Sequence, residues 1–126
     1  RIVFLPHQDH SKIPLFQNSA DVLVLPNTAK EVASKYETSP VKLFEYMASG
    51  IPIVASDIPS VREIVSPKEV FFFTPDDPKS LAEAIQESIK DLDIAKERVA
   101  ASRTLVRSFS WPLRAEAISV FIRKLT

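Results

Sequence analysis

Four short apolar runs, separated by longer amphipathic segments, constrain this chain more than any other feature. Each run is apolar on both faces, as a strand must be when helices cover both sides of its sheet. Alternation of such runs with helical segments is typical of a parallel sheet whose strands are joined by crossover helices. The predicted strands are residues 2–5, 21–25, 51–55 and 70–73. We therefore predict an α/β fold built on a parallel sheet.

The helix between the second and third runs has the clearest boundaries. Ser39-Pro40 predicts its start, because serine can cap the amides of a first turn and proline fits there. Leu43 and Met47 repeat at helical spacing. Gly50 predicts its end, since glycine accepts the left-handed conformation that closes many helices. Shorter helices are predicted around residues 13–20 and 60–65.

From Thr74 onward the pattern is helical only. Asp77-Pro78 predicts the start of a helix, with the aspartate as cap and the proline in the first turn. Two further helices are expected at about 94–107 and 112–125. In the last one we expect a buried stripe that consists of Leu113, Ala117, Phe121 and Leu125.

Composition excludes several classes of function. The 126 residues carry 16 basic and 16 acidic side chains, so the chain has no excess positive charge to neutralise the phosphates of a nucleic acid. Because it has no cysteine, it forms neither a disulfide nor a thiolate metal site, which favours a cytoplasmic protein. No apolar run approaches the length that spans a membrane. The chain enters a predicted strand directly after Arg1, which we interpret as a fragment of a larger protein.

In an open α/β sheet, ligands bind outside the carboxyl ends of the strands and at helix N-termini. The longest such loop runs from Pro26 to Ser39 and leads into the helix that starts at Ser39-Pro40. The amides and the positive dipole end of a helix start favour an anion. Two carboxylates flank this start, Glu37 and Glu45, with seven residues between them.

The segment from Glu37 to Glu45, followed by Gly50-Ile51-Pro52 and a strand, resembles the C-terminal domain of GT-B glycosyltransferases. It is most similar to the retaining group 1 enzymes, glycosyltransferase family four, whose signature is two glutamates at this spacing. Residues 19–26 resemble the strand before the motif, and Phe109-Ser110-Trp111 resembles the start of the terminal helix. The resemblance implies a Rossmann-like sheet followed by C-terminal helices, with residues 1–126 as a partial nucleotide-sugar-binding domain that lacks its first strands and its N-terminal partner domain.

The resemblance also implies roles for individual residues. Glu37 becomes the catalytic residue, in contact with the transferred sugar, and Glu45 accepts hydrogen bonds from the ribose hydroxyls of the donor. An ionised carboxylate suits a cis-diol because it offers two acceptor oxygens. The backbone amides of Val41 and Lys42 would hold the pyrophosphate, and the Lys42 ammonium would add positive charge. Ser39 is expected to cap the helix first and to neighbour the phosphate second.

The resemblance places the base of the nucleotide at the loop His7-Gln8-Asp9-His10, with His7 and Gln8 as the contacting residues; this expectation rests on position alone. The chain departs from the family's pattern at Thr38-Ser39-Pro40, which replaces a glycine-rich stretch. The proline supplies no amide donor to a phosphate. A second departure is that the family's phosphate-binding arginine and lysine would precede Arg1. Two further strands of the family would also precede Arg1 in the sequence, and in the sheet they would lie between the first and second predicted strands. We therefore expect a gap in the sheet and no turnover by this fragment alone.

The expected partners are a nucleoside-diphosphate sugar as donor substrate, an acceptor that is a glycan or a lipid-linked sugar, and the missing N-terminal domain. No nucleic acid, metal or organic cofactor is expected. The predicted location is cytoplasmic, and the resemblance allows peripheral contact with the inner face of the membrane.

The residues themselves also allow other interpretations of the predicted site. Glu37 and Glu45 could be solvated charges, and Lys42 could pair with Glu45 on the helix surface. His7, Asp9 and His10 could suggest a metal cluster, although no further ligand set accompanies them. The alternative functions are a GT-B epimerase or phosphorylase, and a non-catalytic interaction or regulatory module with the same fold.

Overall fold

Three parallel strands form the sheet in a computed structural model that describes residues 1–125. They are β1 (Leu23–Leu25), β2 (Ile53–Ser56) and β3 (Phe71–Phe73), and they lie in the order β1-β2-β3. Val24 pairs with Val54, and Val54 pairs with Phe71. Three of the four predicted strands and their parallel arrangement are thus confirmed.

The prediction of a strand at residues 2–5 is wrong for this structure. The segment forms no regular structure, and Ile2 and Phe4 are 82% and 91% exposed. Apolar residues of strand type form a strand only where a neighbour pairs with their amides and carbonyls, and no such neighbour is present within residues 1–125. The gap was expected between this segment and β1, so the contiguous order of β1, β2 and β3 does not test it.

Within residues 1–125, six α-helices connect and flank these strands: α1 (Ile13–Asn18), α2 (Val41–Ser49), α3 (Pro59–Arg62), α4 (Pro78–Lys90), α5 (Leu92–Val106) and α6 (Trp111–Leu125). Short 3₁₀ turns precede α1 at His10–Lys12 and α6 at Arg107–Phe109. A π-helical segment, Ala33–Glu37, lies in the loop between β1 and α2.

The helix boundaries test the capping predictions. Asp77 caps α4 as predicted, accepting from the amides of Lys79 and Ser80 at 2.9 and 3.2 Å. Gly50 ends α2 with φ of 83°, the left-handed conformation that was expected. The cap predicted at Ser39 is wrong. Helix α2 begins one residue later, Pro40 occupies the cap position, and no side chain caps the helix.

Two apolar clusters cover the two faces of the sheet. Ile53 and Ala55 of β2 join one cluster with Leu43 and Met47 of α2. Val54, which points to the opposite face, joins Phe71, Phe73, Ala84 and Ala95 in the other. Helix α2 is therefore fixed against the sheet by its buried side, and it also packs against α1 and α5.

Helix α6 forms as predicted, but its predicted buried stripe is wrong. Leu113, Phe121 and Leu125 are 47%, 63% and 71% exposed, and Ala117 is exposed as well. The spacing of apolar residues indicates which side of a helix suits burial. It does not supply the partner, and no element within residues 1–125 covers this side of α6.

Candidate functional site

The carboxyl ends of β1, β2 and β3 lie at one edge of the sheet, at Leu25, Ser56 and Phe73. The buried Ser56 hydroxyl donates to the Leu25 carbonyl at 3.3 Å, which links the ends of β1 and β2. The long loop that follows β1 leads from this edge to α2. This edge is where a ligand of a parallel sheet is expected.

Glu37 ends the π-helical segment of that loop. Its side chain is exposed, and it has no hydrogen-bond or ion-pair partner among residues 1–125. The segment is anchored nearby, because the Ser60 hydroxyl donates to the Ser34 carbonyl at 2.9 Å. Thr38 adds a local bond from its hydroxyl to the Ala33 carbonyl at 2.7 Å. The carboxylate of Glu37 is thus carried by an anchored turn, and no lysine or arginine within residues 1–125 forms an ion pair with it.

Glu45 lies in the middle of α2 and is partly buried. The Gln17 amide nitrogen of α1 lies 3.4 Å from Glu45 Oε2, a long hydrogen bond. Burial, followed by the charge of Glu45, raises the pKa of Tyr46 above its ordinary value, so that its hydroxyl keeps its proton at neutral pH. Glu45 therefore has Gln17 as a hydrogen-bonding neighbour, and it lies close enough to Tyr46 for its charge to act on that hydroxyl.

The cleft between α1 and α2 has Glu45 in its wall and encloses about 370 Å³. We call it the α1–α2 cleft. Lys42 lines its continuation beside Glu45. Glu37 is not among its lining residues. The cleft is lined by His10, Ile13, Pro14, Gln17, Asn18, Glu45, Ala48 and Ser49.

Ser39 and Val41 lie on a second surface. They line a groove of about 440 Å³ with Phe44, Phe109 and Trp111, which we call the aromatic groove. The Phe44 and Phe109 rings are 5.1 Å apart. Residues three apart on a helix share a side, so Val41 and Phe44 face this groove while Lys42 and Glu45 face the α1–α2 cleft.

The start of α2 lies between the two surfaces and carries unused donors. No side chain caps it. The Leu43 amide donates to the Pro40 carbonyl at 2.8 Å, which leaves the amides of Val41 and Lys42 as the donors at this end. With the exposed Lys42 ammonium beside them, this end of α2 suits a phosphate group. The residues predicted to bind the donor thus lie just before α2 or within its first five residues. They are divided between two sides of that helix.

His7 and Gln8 lie in the irregular segment before α1, where the Gln8 amide donates to the Pro6 carbonyl at 3.0 Å. The histidine that lines the α1–α2 cleft is His10. Within residues 1–125, no three His, Asp or Glu side chains come together as metal ligands. His10 belongs to the loop where the base was expected, whereas Gln17 was not singled out for the site, since nothing in the sequence ties it to Glu45.

An ion pair that the sequence analysis missed lies just beyond β2. Arg62 Nε and Nη2 donate to the two carboxylate oxygens of Asp57 at 2.6 and 2.8 Å, and the guanidinium lies 3.9 Å from the centre of the Phe72 ring. These hydrogen bonds lower the pKa of Asp57 below its ordinary value. Because its guanidinium is paired with Asp57 and stacked on Phe72, Arg62 is not an unpaired cation that could bind a phosphate.

The sequence model of a family described as "Glycosyl transferases group 1" matches residues 1–104. A phosphatidyl-myo-inositol mannosyltransferase of Mycobacterium leprae is 34% identical over 119 residues, which are 93% of this chain and 30% of that protein. A glycogen synthase of Mycobacterium tuberculosis is 30% identical over 116 residues, 90% of this chain and 26% of that protein. The chain therefore spans less than a third of either relative.

Among solved structures, a sucrose-phosphate synthase from Thermosynechococcus elongatus superposes with a TM-score of 0.80 and 29% identity. The match covers 99% of this chain and 30% of that protein. It confirms the α/β parallel sheet predicted from the alternation of apolar runs and the Rossmann-like arrangement that the resemblance implied. None of the helices in residues 1–125 has the length and apolar character needed to cross a bilayer.

Proposed function

The chain belongs to the group 1 glycosyl transferases, and from this premise we propose that it is the donor-binding part of a retaining enzyme. In the proposed reaction, the bond between the anomeric carbon of the sugar and the diphosphate oxygen breaks. A bond from the same carbon to an acceptor hydroxyl oxygen forms, with release of the nucleoside diphosphate and one proton. The observation that carries the proposal is the uncapped start of α2, flanked in sequence by Glu37 and Glu45.

The start of α2 would hold the diphosphate. Its two unused amides and the positive end of the helix dipole are fixed before any ligand arrives, because Leu43 and Met47 anchor α2 in the core. Negative charge accumulates on the diphosphate as the sugar leaves, so donors already in place lower the barrier without rearranging. The exposed Lys42 ammonium would add one positive charge at the same point. In this proposal, groups of the chain itself stabilise the departing diphosphate, without a resident cofactor.

Glu45 would hold the ribose. Its two oxygens match the two hydroxyls of a cis-diol, and partial burial strengthens hydrogen bonds to an ionised acceptor. The long contact to Gln17 restrains the carboxylate without using all of its acceptor capacity. The α1–α2 cleft would then receive the nucleoside, with His10 rather than His7 in its wall.

Glu37 would act on the transferred sugar. It has no partner among residues 1–125, so its carboxylate is available to a ligand. Its place on the loop that leads from the sheet edge to α2 suits a group that meets the sugar once the diphosphate is bound. The Ser60 to Ser34 bond, three residues upstream, restrains the turn that carries it.

The donor and the acceptor are assigned by class only. The relatives are named for mannosyl transfer to a phosphatidylinositol, for glycogen and for sucrose phosphate, so their names share sugar chemistry but no single acceptor. We propose a nucleoside-diphosphate sugar as donor and a glycan or lipid-linked sugar as acceptor, used in the cytoplasm or at the inner face of its membrane. The remaining groups of the active site would come from an N-terminal domain.

A product assay on the intact protein that carries this chain tests the proposal. The protein is incubated with UDP-, GDP- and ADP-sugars and an acceptor mixture of oligosaccharides and membrane lipids. We expect one donor to give a nucleoside diphosphate and a glycosylated product in equal amounts, with the anomeric configuration of the donor retained. An epimerised sugar, or a sugar 1-phosphate formed only with added phosphate, would assign the site to an epimerase or phosphorylase. No product and no binding of any donor would indicate a non-catalytic module.

A further inference from the structure

Asp76 joins two loops at the carboxyl edge of the sheet. Its carboxylate oxygen Oδ1 accepts from the Thr28 hydroxyl at 2.8 Å, and Oδ2 accepts from the Ala29 amide at 2.9 Å. The Lys30 amide donates to the Thr28 oxygen at 3.1 Å, which extends the network by one residue. Asp76 follows β3, whereas residues 28–30 follow β1. One side chain thus ties together loops whose residues are 48 positions apart in the chain.

The backbone of Asp76 is unusual. Its φ of 61° lies in the left-handed region, and within residues 1–125 no other residue except glycine has a positive φ. Glycine adopts this conformation at no steric cost, whereas aspartate carries a small penalty. A glycine would make the same turn but could not bind Thr28 or Ala29. The conformation therefore points to a use for the side chain.

The two hydrogen bonds also affect the charge of Asp76. The Thr28 hydroxyl first, and the Ala29 amide second, lower the pKa of this carboxyl below its ordinary value. The carboxylate is therefore ionised at neutral pH and makes charge-assisted hydrogen bonds, which are stronger than neutral ones. The Lys30 ammonium favours the same ionised form.

The loop that Asp76 restrains is the one that carries Glu37. Asp76 holds its first part at residues 28 and 29, and Ser60 holds its middle at Ser34. Without the first attachment, the stretch between β1 and the π-helical segment would keep only its own local contacts and the packing of Ala29 against the core. We propose that Asp76 is a positioning residue, whose carboxylate clamps this loop and so fixes the place of Glu37. The link to catalysis rests on the proposed function, whereas the clamp itself does not.

The neighbouring Asp77 offers a matched control. Its carboxylate accepts from Lys79 and Ser80 and caps α4, with no bond to the loop after β1. Asp77→Ala should lower the melting temperature through the lost cap. It should leave the loop as well held as in the wild type. Two adjacent aspartates therefore separate helix stability from loop restraint.

The first experiment needs no substrate. The intact protein is treated with trypsin under native conditions, and cleavage after the exposed Lys30 is followed by mass spectrometry. We expect Asp76→Gly and Thr28→Val to raise the rate of this cut about tenfold, as the loss of a coupled contact does to a local opening equilibrium. Thr28→Ser, which keeps the hydroxyl, and Asp77→Ala should be cut at the wild-type rate. Wild-type cleavage of both Asp76→Gly and Thr28→Val would overturn the clamp.

The second experiment measures turnover with the donor identified above. We expect Asp76→Gly and Thr28→Val to lower kcat about ten- to a hundredfold, as misplacement of a reacting group does, with donor affinity nearly unchanged. Asp76→Gly keeps the left-handed turn but loses both hydrogen bonds and adds entropy to the unfolded chain, so a purely structural role predicts a lower melting temperature with normal kcat. Faster cleavage with normal kcat would overturn the catalytic link. If the wild-type protein transfers no sugar, the proposed function fails, and the trypsin comparison still decides the clamp.

Discussion

Phe71 and Phe121 show how differently two regions of this molecule use the same side chain. Phe71 lies on β3, is 1% exposed and packs with Val54 and Ala84. Phe121 lies on α6 and is 63% exposed. Both sit in apolar patterns of the correct period for their element, so pattern alone does not distinguish them. Burial requires a partner surface, and only the sheet core supplies one within residues 1–125.

The proposed site lies at the boundary between these two regions. Leu43 and Met47 fix α2 in the core, while Lys42 and Glu45 on the same helix face outward. A rigid helix start with exposed functional groups is what preorganised binding requires. Changes in the core should therefore act on stability, and changes at the helix start should act on binding or turnover.

The largest expected effect is that of Phe71→Ala. Removal of a buried phenylalanine ring leaves a cavity and should lower the free energy of unfolding by about 3–5 kcal/mol. The measurement is urea denaturation of the intact protein, read from the transition that reports this domain. A loss below about 1 kcal/mol would show that the sheet core is not packed as described.

Glu37→Gln should act on turnover rather than on stability. We expect kcat to fall about a hundredfold, or roughly 2.7 kcal/mol, with donor affinity and melting temperature nearly unchanged, because the carboxylate is exposed and its partner is the reacting sugar. Glu31→Gln, an exposed glutamate of the same loop, is the matched control and should behave as the wild type. Normal kcat with weakened donor binding would reverse the assignment of Glu37.

Asp57→Asn should have a small effect that depends on pH. The folded-state pKa of Asp57 is below its ordinary value because Arg62 donates hydrogen bonds to it, so the pair stabilises the folded state above about pH 4. The contribution disappears as the pH falls through the lowered folded-state pKa. Since both side chains are about 40% exposed, solvent screening limits the loss to about 0.5 kcal/mol at neutral pH. A difference that is equally large at pH 2 and pH 7 would contradict the ion pair as its source.

Phe121→Ala, the counterpart of Phe71→Ala, should change the free energy of unfolding least. An exposed ring contributes little, so we expect a change within about 0.5 kcal/mol. The same denaturation experiment measures both variants. If Phe121→Ala proves as costly as Phe71→Ala, then α6 is packed against residues outside the described range, and the contrast drawn here fails for the intact protein.

The sequence was sufficient for the elements whose partners lie within the chain. Strands β1 to β3, the end of α2 at Gly50 and the Asp77 cap of α4 follow from local patterns and are confirmed. Residues 2–5 and the stripe of α6 have equally good patterns, and both predictions failed because no neighbour within residues 1–125 covers these segments. The Ser39 cap failed because Pro40, and not the serine, takes the cap position.

The residues of the proposed site can be named from the sequence as a prediction, but their geometry cannot. The spacing of Glu37 and Glu45 is visible in the sequence, whereas their separation onto an exposed turn and the α1–α2 cleft depends on how α1 packs against α2. The bond from Thr28 to Asp76 joins residues 48 positions apart. Nothing in the sequence links Thr28 to Asp76, because their contact exists only once β1 and β3 belong to one sheet.

The most direct test of the account is the binding of the donor to Glu45, measured by isothermal titration calorimetry on the intact protein. Glu45→Ala should weaken the affinity for the donor identified by the product assay by about 1.5–3 kcal/mol, the worth of a charged hydrogen bond, and by more if both hydroxyl contacts are lost. Glu97→Ala, an exposed glutamate of α5, should bind as the wild type does. Unchanged donor affinity in Glu45→Ala would contradict the central claim that this carboxylate holds the nucleotide sugar.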